Sequence, residues 1–193
     1  FDISADGSFV VSTWVVPGPL GTVRTVLVRV ELSTGERTTI VDDADADLGS
    51  PAISPDGESV VFVRGSISTP ENAPRMTLQR YDFEESSVSD LATGWDRWPI
   101  DPVWLPDGSG VLVTADDDGR SPIFVVRDGA QPHRLTQTDH AFTHVHVSSD
   151  GSRVLALAAA YSAAPHPVSI DTSDGTVTPV SYTHLRAHET EAD

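Results

Sequence analysis

The sequence predicts an all-β fold, a partial β-propeller of about four consecutive four-stranded antiparallel blades, and three observations predict it. First, one turn recurs four times: Ser4-Ala5-Asp6-Gly7, Ser54-Pro55-Asp56-Gly57, Leu105-Pro106-Asp107-Gly108 and Ser148-Ser149-Asp150-Gly151, with the Asp residues 50, 51 and 43 positions apart. Second, apolar residues keep register with each Asp. Ile3, Ile53, Trp104 and Val147 stand three before it, and Val10-Val11, Val60-Val61, Val111-Leu112 and Val154-Leu155 stand four and five after. Third, the segments between turns hold short Val-rich runs broken by Gly, Pro and Asp. A repeat of about 40 to 50 residues with four short strands per unit marks a propeller blade.

The turn residues follow from their physics. Pro presets φ for the first central position of a type I turn, Asp bonds its own backbone in the bend, and Gly takes the left-handed conformation that a side chain resists. Two strands therefore meet at each Asp-Gly. The β-branched run after it suits a strand buried on both faces.

The first unit, residues 1–50, holds strands at Phe1 to Ser4, Phe9 to Val16, Thr25 to Leu32 and Arg37 to Val41. Asp42 to Asp47 follows as an acidic loop. Its alternating carboxylates have a calcium-loop look, but Gly is displaced to Gly49 and no Glu closes a twelve-residue span, so a solvated connection is the better reading. The second unit, residues 51–101, holds strands at Pro51 to Ser54, Ser59 to Arg64, Met76 to Phe83 and Ser87 to Leu91. Gly65 to Arg75 is a polar insertion long enough to reach over a propeller face, where Glu71 and Arg75 are weighed as ligand contacts against a plain solvated loop. Trp95 and Trp98 are weighed as a binding platform against a plug between adjacent blades.

The third unit, residues 102–143, holds strands at Val103 to Leu105, Gly110 to Ala115, Pro122 to Arg127 and His133 to Thr136. Asp116-Asp117-Asp118-Gly119-Arg120 joins its middle strands. Three carboxylates invite a cation, yet Asp-Gly is ordinary hairpin chemistry, and the turn reading is preferred. The fourth unit, residues 144–179 and partly complete, holds strands at Val145 to Ser148, Arg153 to Ala159, Pro167 to Ile170 and Thr176 to Thr178. His140, His144 and His146 have ligand-like spacing, with His144 and His146 on one strand face, but no acid or Cys stands ready to complete a metal site.

Composition narrows the function classes. Among 193 residues there are 12 basic and 29 acidic ones, a net charge of −17, and every basic residue is Arg. That balance argues against nucleic acid or an anionic membrane as partner, since little could neutralise a run of phosphates. The absence of Cys excludes disulfides and thiolate chemistry and fits a reducing compartment, so a cytoplasmic location is the expectation. No apolar run reaches the length of a membrane span and no signal peptide is visible. The chain begins at Phe1 and its sole Met is Met76, so the expectation is an internal piece of a longer protein.

Four stretches stand out beyond the repeated turn: Gly94-Trp95-Asp96-Arg97-Trp98, Trp104-Leu105-Pro106-Asp107-Gly108, Thr114 to Pro122 and Ala164-Pro165-His166-Pro167-Val168. With them the units resemble blades of the prolyl oligopeptidase family of serine peptidases, nearest to its acylaminoacyl-peptidase and dipeptidyl-aminopeptidase-like members. The turn alone is also similar to that of the periplasmic Tol-system propeller. The family resemblance implies a propeller that caps an α/β-hydrolase domain of the same parent chain, filters access by size and lines one side of the cavity for a peptide substrate. The runner-up is a stand-alone binding propeller of the Tol type.

No G-x-S-x-G nucleophile elbow is present. The nearest approach, Gly119-Arg120-Ser121-Pro122-Ile123, lacks the final Gly and sits in a hairpin loop. No catalytic, cofactor-binding or metal-binding residue is therefore assigned, no cofactor is expected, and this stretch is expected to be inactive as a peptidase by itself. Residues 180–193 continue no blade pattern. Val180 to Thr190 resembles one reading frame of a transposon-type sequencing adapter, which would leave His184 and His188, spaced like a helical metal pair, without meaning.

Overall fold

A computed structural model describes residues 1–180. The expected tail, with His184 and His188, lies outside the described residues apart from Val180. The strands are β1 (Asp2–Ile3), β2 (Phe9–Pro17), β3 (Val23–Glu31), β4 (Arg37–Val41), β5 (Ala46–Ile53), β6 (Ser59–Ser66), β7 (Met76–Asp82), β8 (Ser87–Asp90), β9 (Pro99–Trp104), β10 (Val111–Ala115), β11 (Ile123–Val126), β12 (His133–Arg134), β13 (Ala141–Val147), β14 (Arg153–Ala160), β15 (Ala163–Asp171) and β16 (Val177–Pro179). They form four four-stranded antiparallel sheets, each taking its strands in chain order.

The Asp-Gly turns build the first hairpin of each sheet. Gly7, Gly57, Gly108 and Gly151 have φ of 69°, 76°, 71° and 72°. Each donates its N–H to the carbonyl three residues earlier at 2.9 Å. The Asp carboxylate collects donors from its own turn. Asp6 Oδ1 accepts from Ser4 Oγ and Ser8 N, and Asp150 Oδ1 accepts from Ser148 Oγ and Ser152 N. Bonds to the charged form hold both carboxyls down at about 2, below the ordinary 3.8.

Three first strands begin farther upstream than the apolar pattern predicts: β5 at Ala46 rather than Pro51, β9 at Pro99 rather than Val103, β13 at Ala141 rather than Val145. Each contains a register shift. Each also holds one residue other than Gly in the left-handed region, Ser50 (φ 47°), Asp101 (φ 47°) and His144 (φ 53°). A β-bulge interrupts the alternation of faces, so the segment ahead of it reads as loop.

The core is three interfaces between successive sheets. Phe9, Val11 and Leu27 meet Ile53, Val60 and Phe62 at the first. Val61 and Leu78 meet Val111, Val113 and Phe124 at the second. Leu112, Ile123 and Val125 meet Phe142, Val154 and Ile170 at the third. The run Val60 to Val63 is buried throughout because even residues face one sheet and odd residues the other. In β14 the outer residue Leu155 is 51% exposed between buried Val154 and Ala156.

First strands also bond to one another across sheets. Ile53 N donates to Asp2 Oδ2 at 2.7 Å, and Trp104 Nε1 donates to the Ala52 carbonyl at 2.9 Å. First strands thus lie together while the exposed fourth strands lie outermost, which is the propeller arrangement. Asp-Gly turns occupy one side. The other, the loop side, carries the β6–β7 insertion, Trp95 to Trp98 and Asp116 to Arg120.

Candidate functional site

The candidate residues other than His144 and His146, which lie within β13, collect on the loop side, but not as independent ligand sets. The acidic loop is shorter than expected, since Ala46 and Asp47 belong to β5, and the carboxylates of Asp42, Asp43 and Asp47 turn to protein donors. Asp42 pairs with Arg24 at 2.8 Å, Asp43 with Arg64 at 2.7 Å, and Asp47 Oδ1 accepts from Thr25 N and Oγ1 at 3.0 and 3.1 Å. The Arg64 guanidinium, bonded to Asp43, holds that carboxyl below its ordinary value. This stretch therefore ties the first sheet to the second.

Asp116, Asp117 and Asp118 diverge. Asp116 accepts from Ser121 Oγ. Asp117 is clamped between Arg97 at 2.8 Å and Arg134 at 3.1 Å, and Asp118 faces Arg120 at 3.5 Å. Hydrogen bonding to Asp117 and the field of Asp96 raise the Arg97 pKa. The backbone closes as a hairpin, with Asp117 N donating to the Arg120 carbonyl at 2.8 Å. Ser121 is a structural residue here, since its carbonyl also accepts Phe142 N at 2.9 Å.

The three weighed His do not converge. His144 occupies the β13 bulge with Nδ1 3.2 Å from Thr143 Oγ1, and His146 is exposed beyond it. His140 lies instead beside His166, the ring centroids 6.0 Å apart. Among the described residues no group of three or more His, Cys, Asp or Glu is placed to hold a metal ion.

The two Trp divide the roles between them. Trp95 packs edge-on against Phe124, centroids 5.0 Å apart, as a plug in the second interface. Trp98 is 50% exposed. Together with Asp96 and Arg97 they form one wall of a groove of about 350 Å³, and Ala73, Pro74, Arg75 and Met76 form the other. Arg75 Nη2 reaches the Trp95 carbonyl at 3.5 Å, so the insertion is tied to the Trp segment. Glu71 stands exposed in the insertion, its N–H 3.3 Å from Thr69 Oγ1.

Met76 also borders a second groove of about 380 Å³ with Leu48, Gly49, Ser50, Pro99 and Ile100, so the two grooves adjoin. Met76 lies across β6 because Gly65 has no side chain, and a Cβ there would sit 2.8 Å from Met76 Sδ. An isolated Gly in a strand signals such a close approach, but the sequence reading ends this strand at Arg64 and places Gly65 in the insertion, whereas β6 runs on to Ser66, so Met76 is missed. The surface offers aromatic, thioether and guanidinium groups side by side, suited to binding an extended chain with apolar side chains and carbonyl or carboxylate oxygens.

No family model matches the chain. Its sequence is similar to the probable dipeptidyl-peptidase 5 of Aspergillus clavatus, 33% identical over 95 residues, 47% of this chain and 13% of the relative. That of Emericella nidulans is 27% identical over 135 residues, 65% of this chain and 18% of the relative. The resemblance to a prolyl oligopeptidase-family propeller holds. The chain thus spans under a fifth of the length of these two relatives.

Solved structures bear out the fold. TolB from Acinetobacter baumannii superposes with a TM-score of 0.69 at 23% identity, covering 93% of this chain and 43% of that one. The β-propeller domain of the Trilobed protease from Pyrococcus furiosus gives 0.66 at 16% identity, covering 92% and 50%. At these identities the structural likeness speaks for the propeller fold alone.

Proposed function

We propose that the loop side of this propeller lines the substrate cavity of a peptidase of the prolyl oligopeptidase family, whose α/β-hydrolase domain belongs to the same parent chain. The observation that carries this reading is the groove between Pro74–Met76 and Trp95–Trp98, supported by the likeness to dipeptidyl-peptidase 5 proteins. In this role the propeller holds peptide and limits access, and the bond-breaking groups are supplied by the other domain. Arg75 meets carbonyl or carboxylate oxygens of the peptide, and Trp98 covers an apolar side chain.

The test uses the full-length parent with a chromogenic dipeptidyl or acyl-peptidyl substrate. Trp98→Ala is expected to raise KM about tenfold while kcat stays within about twofold, the mark of lost ground-state binding. An unchanged KM overturns the groove assignment. A parent without hydrolytic activity overturns the peptidase reading and favours the stand-alone binding propeller, the fold of the TolB structures.

A further inference from the structure

The sheets are joined near their turn side by a repeated clasp whose chemistry changes at each junction. Arg29, Arg80 and Val125 are equivalent, each paired across its sheet with the fifth residue after the turn Asp: Val11, Val61 and Leu112. The two Arg residues reach positions one and two past the third strand of the next sheet. Arg29 lies over Phe83, 5.0 Å from the ring centroid. Arg80 forms an ion pair with Asp128. At the third junction the corresponding positions are Val125 and Thr172, both lining the crevice, and Thr172 Oγ1 donates to the Gly151 carbonyl at 2.7 Å.

The third junction has no such ion pair. The crevice at the second junction, with Arg80 and Asp128 among its lining residues, measures about 160 Å³. Its counterpart at the third measures about 430 Å³, in the range that takes a small molecule. Its floor is apolar, built from Leu105, Leu112, Val125 and Leu135.

Its mouth is charged with both signs. Arg127 drapes its stem over Gly110, where a Cβ would meet Arg127 Cγ at 3.0 Å, and has no acidic group within 4 Å among the described residues. Asp107 and Asp150 spend only Oδ1 on their own turns, leaving Oδ2 without a hydrogen bond among the described residues. Ser109 bonds and, at longer range, the Arg127 charge hold the Asp107 carboxyl down, so charges of both signs face each other beside a buried apolar floor, and a zwitterion complements them.

We propose that this crevice binds a small zwitterion with an apolar side chain, a free apolar amino acid or its dipeptide. The ligand carboxylate sits on Arg127, its ammonium group on the open oxygens of Asp107 and Asp150, and its side chain on the Leu floor. The site lies on the side away from the grooves of the proposed peptide surface, so it stands independently of that reading.

Calorimetric titration of the whole chain with Leu-Leu tests the assignment. Saturable binding is expected, weakened about tenfold by Arg127→Gln and by the same margin when N-acetyl-leucine amide replaces the zwitterion, as loss of a charge-assisted bond implies. The double variant Val125→Arg with Thr172→Asp installs the clasp of the second junction and is expected to abolish binding while raising the melting temperature. Absence of saturable heat up to about 10 mM overturns the proposal. Equal affinity for the neutral amide also overturns it, and that measurement decides the matter even if the double variant does not fold.

Discussion

Ser50 and Asp101 occupy the same place in successive sheets, each six residues ahead of its turn Asp and each at φ 47°, with Ser50 Oγ 3.5 Å from Asp101 Oδ1. The left-handed backbone that makes each bulge thus recurs where no Gly occurs. That region costs a β-branched side chain most, by contact of Cβ with the following carbonyl.

Ser50→Val is therefore expected to destabilise by about 1–2 kcal/mol. Ser50→Gly should be near neutral, since relief of about 1 kcal/mol of strain is offset by a comparable gain in unfolded-chain entropy. Urea midpoints of both variants against the parent sequence check the pair. Equal effects would remove the bulge from the explanation.

Trp104→Phe keeps an aromatic body but deletes the Nε1 donor that meets the Ala52 carbonyl at 2.9 Å across the second junction. A loss of about 1–2 kcal/mol is expected, because a buried acceptor is left without its partner. Hydrogen exchange of first-strand amides should rise at that junction more than at the first.

Gly175 and Gly57 have similar positive φ, 72° and 76°, in unlike surroundings. A Cβ on Gly57 meets nothing within 4 Å, whereas one on Gly175 would lie 1.9 Å from the Leu135 carbonyl oxygen. Gly57→Ala is expected to cost about 1 kcal/mol, and Gly175→Ala about 3 kcal/mol or more, as steric clash adds to backbone strain. Thermal melts that rank the two equally would contradict the close packing of this turn on the third sheet.

Asp6 and Asp150 titrate at about 2 in the folded chain against an ordinary 3.8. A depressed folded pKa means that the unfolded chain takes up the proton first. The stabilisation from these turns is thus fully present above about pH 4 and is lost as pH falls through about 2. Both carboxylates are exposed, and Asp150→Asn should flatten the dependence of the denaturation midpoint on pH across that window. An unchanged acid limb would show that other carboxylates govern it.

Local chemistry made much of the fold legible. Asp-Gly at fixed offsets from apolar pairs marks the hairpins, because turn geometry depends on a few adjacent residues. The run Val60 to Val63 announces a strand buried on both faces, since alternation disappears only when both sides are covered. By contrast, the upstream halves of β5, β9 and β13 were illegible: a bulge resets the face on which each side chain falls, and nothing in Ser50, Asp101 or His144 signals left-handed backbone as Gly would.

The candidate site divides the same way. Trp95, Trp98 and Arg75 stand out in the sequence as residue types that bind, and the polar insertion announces a loop that reaches over a face. Which Trp is plug and which is surface depends on the partner ring Phe124, about thirty residues away in the chain, and so on the packing of the third sheet. The sequence alone determined the turns, the strand order within each unit and the acidic surface, because these arise from neighbours along the chain. The tertiary structure alone decided that Asp42, Asp43 and Asp117 are spent on Arg partners, that Met76 joins two grooves, and that Val125 and Thr172 line the crevice of the third junction. Those relations link residues of different strands and sheets, and their energies depend on distances that only packing sets.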